Sequence, residues 1–253
     1  MRPTLEQIQN IAADFDARYE IVIADTEALR RDTYRVRYRV FCDQLGYAMQ
    51  YVDGCEYDEY DADSIHILLR QRHDGTPVGC FRIVLPKAEG VWLPFQLYGV
   101  PHVDERLFEW GKVNRARSVE ISRLAIDNGK RRERGHLAGI SDQYLATALF
   151  YAVTAMVVKL DAHHAFMVIE PCLGRLTSRF GIRLDQIGPP FEYYGQRATF
   201  ATTGARMASE AENLQPAWRD LYAMIAGQLL QPARETKGSM SAPYPSVPCV
   251  ANG

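Results

Sequence analysis

The sequence has no C-x-x-C pair. Its five cysteines (Cys42, Cys55, Cys80, Cys172, Cys249) are scattered and odd in number. That argues against a disulfide framework or a zinc ribbon and favours a reducing compartment. The six histidines lack ligand spacing, and His163 and His164, being neighbours, would point to opposite faces of a strand. There is no apolar run long enough to cross a bilayer and no secretory signal, so the expectation is a cytoplasmic protein without a transmembrane segment. A net charge of −2 excludes a strongly basic nucleic-acid binder and makes any binding patch a local one. No internal repeat is visible.

What is present is ample for a core. At 253 residues, with ordinary apolar and charged fractions, the chain suits one large domain over 1–230. The Pro/Ser/Gly-rich stretch 231–253 reads as a flexible tail. Helical spacing of Leu5, Ile8, Ile11 and Ala12 predicts a helix over 4–18, followed by a strand at 19–24. Asp25-Thr26 can cap a second helix with Tyr34, Tyr38, Phe41 and Leu45 along one stripe and Gly46 as its stop. Two strand-like runs, 64–70 and 78–85, flank a turn at Asp74-Gly75 and read as a hairpin. Residues 86–117 carry Trp92, Phe95, Tyr98, Phe108 and Trp110 and read as a lid-like connection or a satellite core. A strand at 119–126, an apolar helix over 141–160, a strand at 165–169 and a short helix at 173–180 follow. Strands at 182–187 and 191–201 and a closing amphipathic helix at 209–230 complete the chain. The order predicts an α/β (α+β) protein with a mixed central sheet and helices on both faces.

Charge appears where it costs most. The strand Val119-Glu120-Ile121-Ser122-Arg123-Leu124-Ala125-Ile126 is nearly all apolar apart from Glu120 and Arg123, and Arg82 sits among apolar neighbours in the hairpin. Such groups need partners. Arg37, Arg82 and Arg123 against Asp58, Asp61 and Glu120 make a balanced set. It would either satisfy itself or leave one arginine to grip a substrate carboxylate.

In that order and spacing, Arg37-x-x-x-Phe41-x-x-x-x-x-Tyr47, Glu56-x-Asp58-x-x-Asp61, Arg82 and Glu120-x-x-Arg123 resemble acyl-homoserine-lactone (autoinducer) synthases, except that Tyr47 stands where those enzymes usually carry tryptophan. The stretches Arg37-Tyr38-Arg39-Val40-Phe41-Cys42 and Glu56-Tyr57-Asp58-Glu59-Tyr60-Asp61 are closer to a sister group, the N-acyl amino acid synthases and PEP-CTERM/exosortase-associated acyltransferases. So are Glu120–Ile126, Glu170-Pro171-Cys172-Leu173 and 188–197. The resemblance covers roughly residues 15–205. It implies a GNAT-type fold and transfer of a long-chain fatty acyl group from acyl carrier protein, or acyl-CoA, to the α-amine of an amino acid. No permanently bound cofactor and no metal are implied.

The chemistry fits those residue types. A free amino acid arrives as an ammonium ion, and a desolvated carboxylate can take its proton; Glu120 is the candidate, with Arg123 and Arg82 beside it. Arg37, Phe41, Tyr47, Asp58 and Asp61 are candidate substrate-binding residues, while Glu170 would either bind the acceptor or cap the following helix. In a regular strand Glu120 and Arg123 point to opposite faces, so a shared site requires a bulge or a splay near 120–125. Arg131, Arg132, Arg134 and Gly135 lie where a GNAT enzyme places its phosphate-binding loop, although Leu137 replaces the final small residue of that pattern. They could equally steer an acidic carrier protein. Cys172 has no recognisable histidine partner, and a thioester arrives already activated, which argues against a cysteine nucleophile. Leu145, Ala148, Leu149, Ala152 and Met156 supply core, and Ala146, Ala148 and Ala152 mark where an acyl slot would open. Peripheral membrane contact through the product or the lid is left open. The rival readings are a lactone-forming synthase, a CoA-dependent GNAT N-acetyltransferase and a non-catalytic acyl-carrier or lipid-binding module.

Overall fold

The computed structural model describes residues 11–47, 53–88, 90–127, 129 and 142–230. The basic cluster Arg131, Arg132, Arg134 and Gly135, the tail 231–253 and the start of the first helix lie outside the described residues. Helix α1 (Ile11–Arg18) runs directly into β1 (Tyr19–Ile23), and the Thr26 hydroxyl accepts from the Leu29 N–H to start α2 (Glu27–Tyr38). Strands β2 (Ser64–Gln71) and β3 (Pro77–Val84) form the expected hairpin, with Gly75 at φ +72° in its turn. After a short helical turn α3 (Phe95–Tyr98) come β4 (Ser118–Ile126), α4 (Asp142–Lys159), β5 (His164–Ile169) and α5 (Pro171–Ser178). Short strands β6 (Asp185–Gln186) and β7 (Phe191–Glu192) precede β8 (Gln196–Thr203), α6 (Gly204–Glu212) and α7 (Pro216–Leu229).

The sheet runs β1-β2-β3-β4-β5-β8-β6, with β7 also on β8. Neighbours are antiparallel except β4 and β5, which are parallel and joined through α4. One face of the sheet packs on α1, α4, α6 and α7 around Ile67, Phe81, Ile121, Met167, Leu149 and Ile225. The other is divided. Helix α2 covers Val22, Leu68, Cys80 and Ala125, and the segment before β4 covers Val84, Phe166 and Ala201. Among the described residues no helix is long and apolar enough to cross a membrane.

Four local expectations need correction. The inward stripe of α2 is Thr33, Val36, Arg37 and, in the next turn, Val40, not the aromatic row Tyr34, Tyr38, Phe41, Leu45, because this face closes over charged partners. Its last turn widens into a π-helical turn over Arg39–Gln44, ended by Gly46 at φ +68°. The closing helix is two, since Pro216 lacks the N–H that would continue α6 and instead opens α7. His163 precedes β5, so its ring is not turned away from His164; the two Nδ1 atoms are 2.9 Å apart.

The lid-like stretch is a packed strap over a satellite core. Phe95 is fully buried and stacks on Phe166 at 4.4 Å, with Phe108 and Trp110 around them. The Thr199 hydroxyl donates to the Gly99 carbonyl, the Asp104 N–H donates to the Ile187 carbonyl, and His102 stacks on Phe191. These contacts tie the strap to the β5–β8 half of the sheet.

Candidate active site

Strands β4 and β5 pair only from Ser118↔His164 to Ile121↔Met167. Beyond that, β4 continues against β3 and β5 against β8, so the two part and a cleft of about 820 Å³ opens between them. Their facing edges in the gap are unmatched to each other and leave backbone donors and acceptors for a ligand. Phe41 and Tyr47 from the end of α2 and Tyr98 from the strap line this cleft, as do Glu120–Ile126 from β4 and Leu173 and Leu176 from α5.

The strand irregularity has a visible cause. Arg82 faces Ser122 and Cys80 faces Ala125, so Arg123 and Leu124 together stand opposite Phe81 alone. That is a bulge, with Arg123 at φ 56°, a left-handed conformation uncommon for a side-chain-bearing residue. It resets the alternation. Glu120 and Ser122 lie on the strap and α2 side, Ala125 rejoins that side against Val36 and Val40, and the Arg123 side chain reaches the same side instead of the α4 core.

There the three arginines meet carboxylates. Arg37 donates to Glu56 and, with both terminal nitrogens, to Asp61 at 2.7 and 3.1 Å. Arg82 donates to Asp58 at 2.5 and 2.8 Å, to Asp61 at 2.7 Å and to the Ser122 hydroxyl at 3.0 Å. Arg123 donates to Glu56 at 3.0 Å and to Asp58 at 2.9 Å. Arg37, Arg82, Glu56 and Asp61 are all buried, and Arg123 is the member nearest solvent, its side chain 23% exposed. Burial opposes the ionisation of Asp58 and Asp61, yet the guanidinium groups outweigh it and hold both below the ordinary carboxylate range. His66, buried beneath this network with its ring on Tyr34, places Nε2 3.0 Å from the Asp61 carbonyl. The third carboxylate is therefore Glu56 and not Glu120, a correction to the expected set.

Glu120 stands apart from the arginines. Its side chain is fully buried; one oxygen accepts from the Phe95 N–H at 2.6 Å and the other from the Tyr98 hydroxyl at 2.5 Å. Burial pushes its pKa up to about 7, against those two hydrogen bonds and the nearby positive charges of Arg82 and Arg123. Burial and the Glu120 charge raise the Tyr98 phenol well above its usual range, so it stays a proton donor.

At the rim, Tyr47 stacks near Phe41, donates its hydroxyl proton to the Tyr194 carbonyl and accepts from Arg197 at 2.8 Å. Glu170 occupies the N-cap position of α5 without a side-chain capping bond and pairs with Arg197 at 3.1 Å, which sets aside the capping alternative. Cys172 is exposed, and its Sγ lies 3.5 Å from Glu170. Leu145, Ala148, Leu149, Ala152 and Met156 are core, as expected, but the slot does not open at Ala146, Ala148 or Ala152; Phe150 is the residue α4 presents to the cleft, and α5 supplies Leu173 and Leu176. Sequence reasoning missed Tyr98, Tyr193, Arg175, Arg179 and Arg197 as cleft residues, and Glu56 as a site residue. Glu56 carried a signal in its acidic motif, and Tyr193 and Arg197 carried one in the 188–197 stretch of the resemblance; the others carried none.

A family profile described as "Acetyltransferase (GNAT) domain" matches residues 36–139. A probable acyl-homoserine-lactone synthase from Sinorhizobium fredii (strain NBRC 101917 / NGR234) is 30% identical over 190 residues, 75% of this chain and 86% of that protein. Two solved structures share the fold at a TM-score of 0.55. FeeM, an N-acyl amino acid synthase from uncultured soil microbes, is 19% identical, with 76% of this chain and 94% of that one covered. BjaI, a CoA-dependent acyl-homoserine lactone synthase solved with SAM and isopentyl-CoA, is 17% identical, with 77% and 89% covered. With that fold, and with this identity to the Sinorhizobium protein over most of both chains, the chain belongs to the acyl-homoserine-lactone synthase family of GNAT acyltransferases.

Proposed function

We propose that the protein moves a long-chain acyl group from the phosphopantetheine thioester of acyl carrier protein to the α-amine of an amino acid, giving an N-acyl amino acid. The observation that carries this reading is Glu120: a fully buried carboxylate at the cleft where β4 and β5 part, poised near neutrality. It accepts a proton from the ammonium group. The freed amine then attacks the thioester carbonyl, and the thiolate leaves along the gap. The unmatched strand edges supply backbone N–H groups for the oxyanion and the pantetheine arm. A cleft of about 820 Å³, with Phe41, Phe150, Leu173 and Leu176 on its walls, is large for an acetyl group and suits a long chain. Arg123, which reaches the cleft and keeps some exposure, is the candidate for the acceptor's carboxylate. Phe41, Tyr47 and Glu170 shape the acceptor end. Arg37, Arg82, Asp58 and Asp61 hold the acidic loop in place from below.

A second reading, lactone formation from S-adenosylmethionine, is favoured by the Sinorhizobium protein and BjaI, whereas FeeM favours the first. Against it, Glu56, Asp58 and Asp61, the carboxylates that would attract a sulfonium, are already matched by guanidinium groups. The test offers the protein palmitoyl-carrier protein, palmitoyl-CoA or acetyl-CoA with either mixed amino acids or S-adenosylmethionine, and reads the products by mass. N-palmitoyl amino acid from the carrier donor is expected. Lactone from S-adenosylmethionine alone would establish the second reading, and product from acetyl-CoA alone would point to a short-chain enzyme.

A further inference from the structure

We propose that Tyr98 is a catalytic proton relay, its hydroxyl carrying the acceptor's ammonium proton from the cleft to the Glu120 carboxylate. The inference rests on the acyl-transfer reading above and adds a residue to it. Glu120 cannot be reached freely. Its side chain has no exposed surface, and each oxygen already accepts a hydrogen bond from the strap. Of those two donors, the Phe95 N–H is a buried backbone amide and does not give up its proton. The Tyr98 hydroxyl is different: it is an exchangeable O–H, and both residues border the cleft but Tyr98 keeps some exposed surface where Glu120 keeps none.

The ring is also held still. It stacks on Tyr193 at 4.5 Å with planes 4° apart, and Gly99, the next residue, is anchored through its carbonyl to Thr199. A Cβ on Gly99 would meet Val168 at 2.9 Å, so the strap needs glycine to lie this close to β5. The titratable and charged groups around Glu120 and Tyr98 are Tyr193 from the β7–β8 turn, Arg82 from β3, Arg123 from β4 and Tyr60 from the acidic loop. Both arginines favour the ionised carboxylate that receives the proton.

The step balances. The ammonium N–H proton passes to the Tyr98 oxygen as the Tyr98 O–H proton passes to Glu120, leaving a neutral amine, an intact phenol and a protonated carboxyl group. The amine nitrogen forms its bond to the thioester carbon and the C–S bond breaks. The second proton leaving nitrogen goes to the thiolate, and Glu120 releases the first to solvent when product departs.

The experiment compares the pH dependence of kcat for the wild type and Tyr98→Phe with palmitoyl-carrier protein and the best amino acid. Phenylalanine keeps the stacked ring and removes only the hydroxyl. A relay predicts that the high-pH plateau of kcat falls by about 100-fold with little change in the donor KM. If Tyr98 only orients Glu120, the variant keeps its plateau and merely shifts the acidic limb; that result, or a wild-type profile, overturns the relay. A proton inventory on the wild type supplies the check should the variant fail to fold: curvature from two protons in flight is expected, and a linear inventory overturns the proposal. Absence of any N-acyl product from the wild type overturns the acyl-transfer reading itself. Product from the wild type with an undiminished Tyr98→Phe plateau overturns the relay alone.

Discussion

Two groups of buried or half-buried carboxylates lie on the same side of the same sheet and behave in opposite ways. Asp58 and Asp61 face guanidinium groups and are held ionised below the ordinary range. Glu120 faces a phenol and a backbone amide, with the arginines farther off, and rises to about 7. Burial alone does not separate them, since it penalises all three charges. The partner does. A fixed positive charge within hydrogen-bond reach repays desolvation, whereas neutral donors repay only part of it. One region is thereby inert scaffold at neutral pH, and the other can exchange a proton there.

The largest break in this comparison is Glu120→Gln. Turnover of the proposed reaction is expected to fall by about 10²- to 10⁴-fold, as loss of a general base does, with no loss of melting temperature. Wild-type kinetics in that variant would remove the proton acceptor from the mechanism. Arg37→Met strikes the other region. It leaves Glu56 and Asp61 short of a buried partner, and urea unfolding should show a loss of about 3–5 kcal/mol; an unchanged midpoint would mean the network contributes little to the fold.

Stability against pH tests the contrast directly, because the two signs oppose. Glu120 titrates near 7 when folded and near its ordinary 4.5 when unfolded, so between these values the native state binds more protons. Wild type should therefore lose about 3 kcal/mol relative to Glu120→Gln as pH rises through that window, with little change outside it. Asp58 and Asp61 act the other way: their contribution is present at neutral pH and is lost as pH falls through and below the ordinary carboxylate range. Denaturant titrations from pH 3 to 9 would resolve both slopes. The smallest effect belongs to Arg123, which touches both regions. Arg123→Lys keeps the charge near Glu120 but loses the fork, so a cost of about 1–2 kcal/mol is expected with the acidic limb of kcat unmoved. A shifted limb would show that Glu120 senses the geometry of that fork and not only its charge.

Much of the local structure was legible. Thr26 caps, Gly46 stops, and the Asp74-Gly75 turn joins β2 to β3, because each depends on residues a few positions apart. Parity went further: Glu120 and Arg123, three apart in one strand, could share a side only if the strand broke its alternation, and it does so at Arg123. The aromatic row of α2 misled because helical spacing reports which residues share a stripe, not what that stripe will meet. Here it meets Arg82, Asp61 and Cys80, so Arg37 turns inward.

Tyr98 and Glu56 show the limit. Nothing in the strap's composition ties Tyr98 to a glutamate 22 positions later, and nothing in the acidic motif ranks Glu56 above Asp58. The sequence by itself determined the elements, the presence of buried charge and the need for an irregular central strand, since these follow from hydrophobic period, turn chemistry and alternation. Only the tertiary structure decided which carboxylate met guanidinium and which met a phenol. Pairing between distant segments is settled by how the strap and acidic loop pack on the sheet, and that pairing sets which group can move a proton near neutral pH.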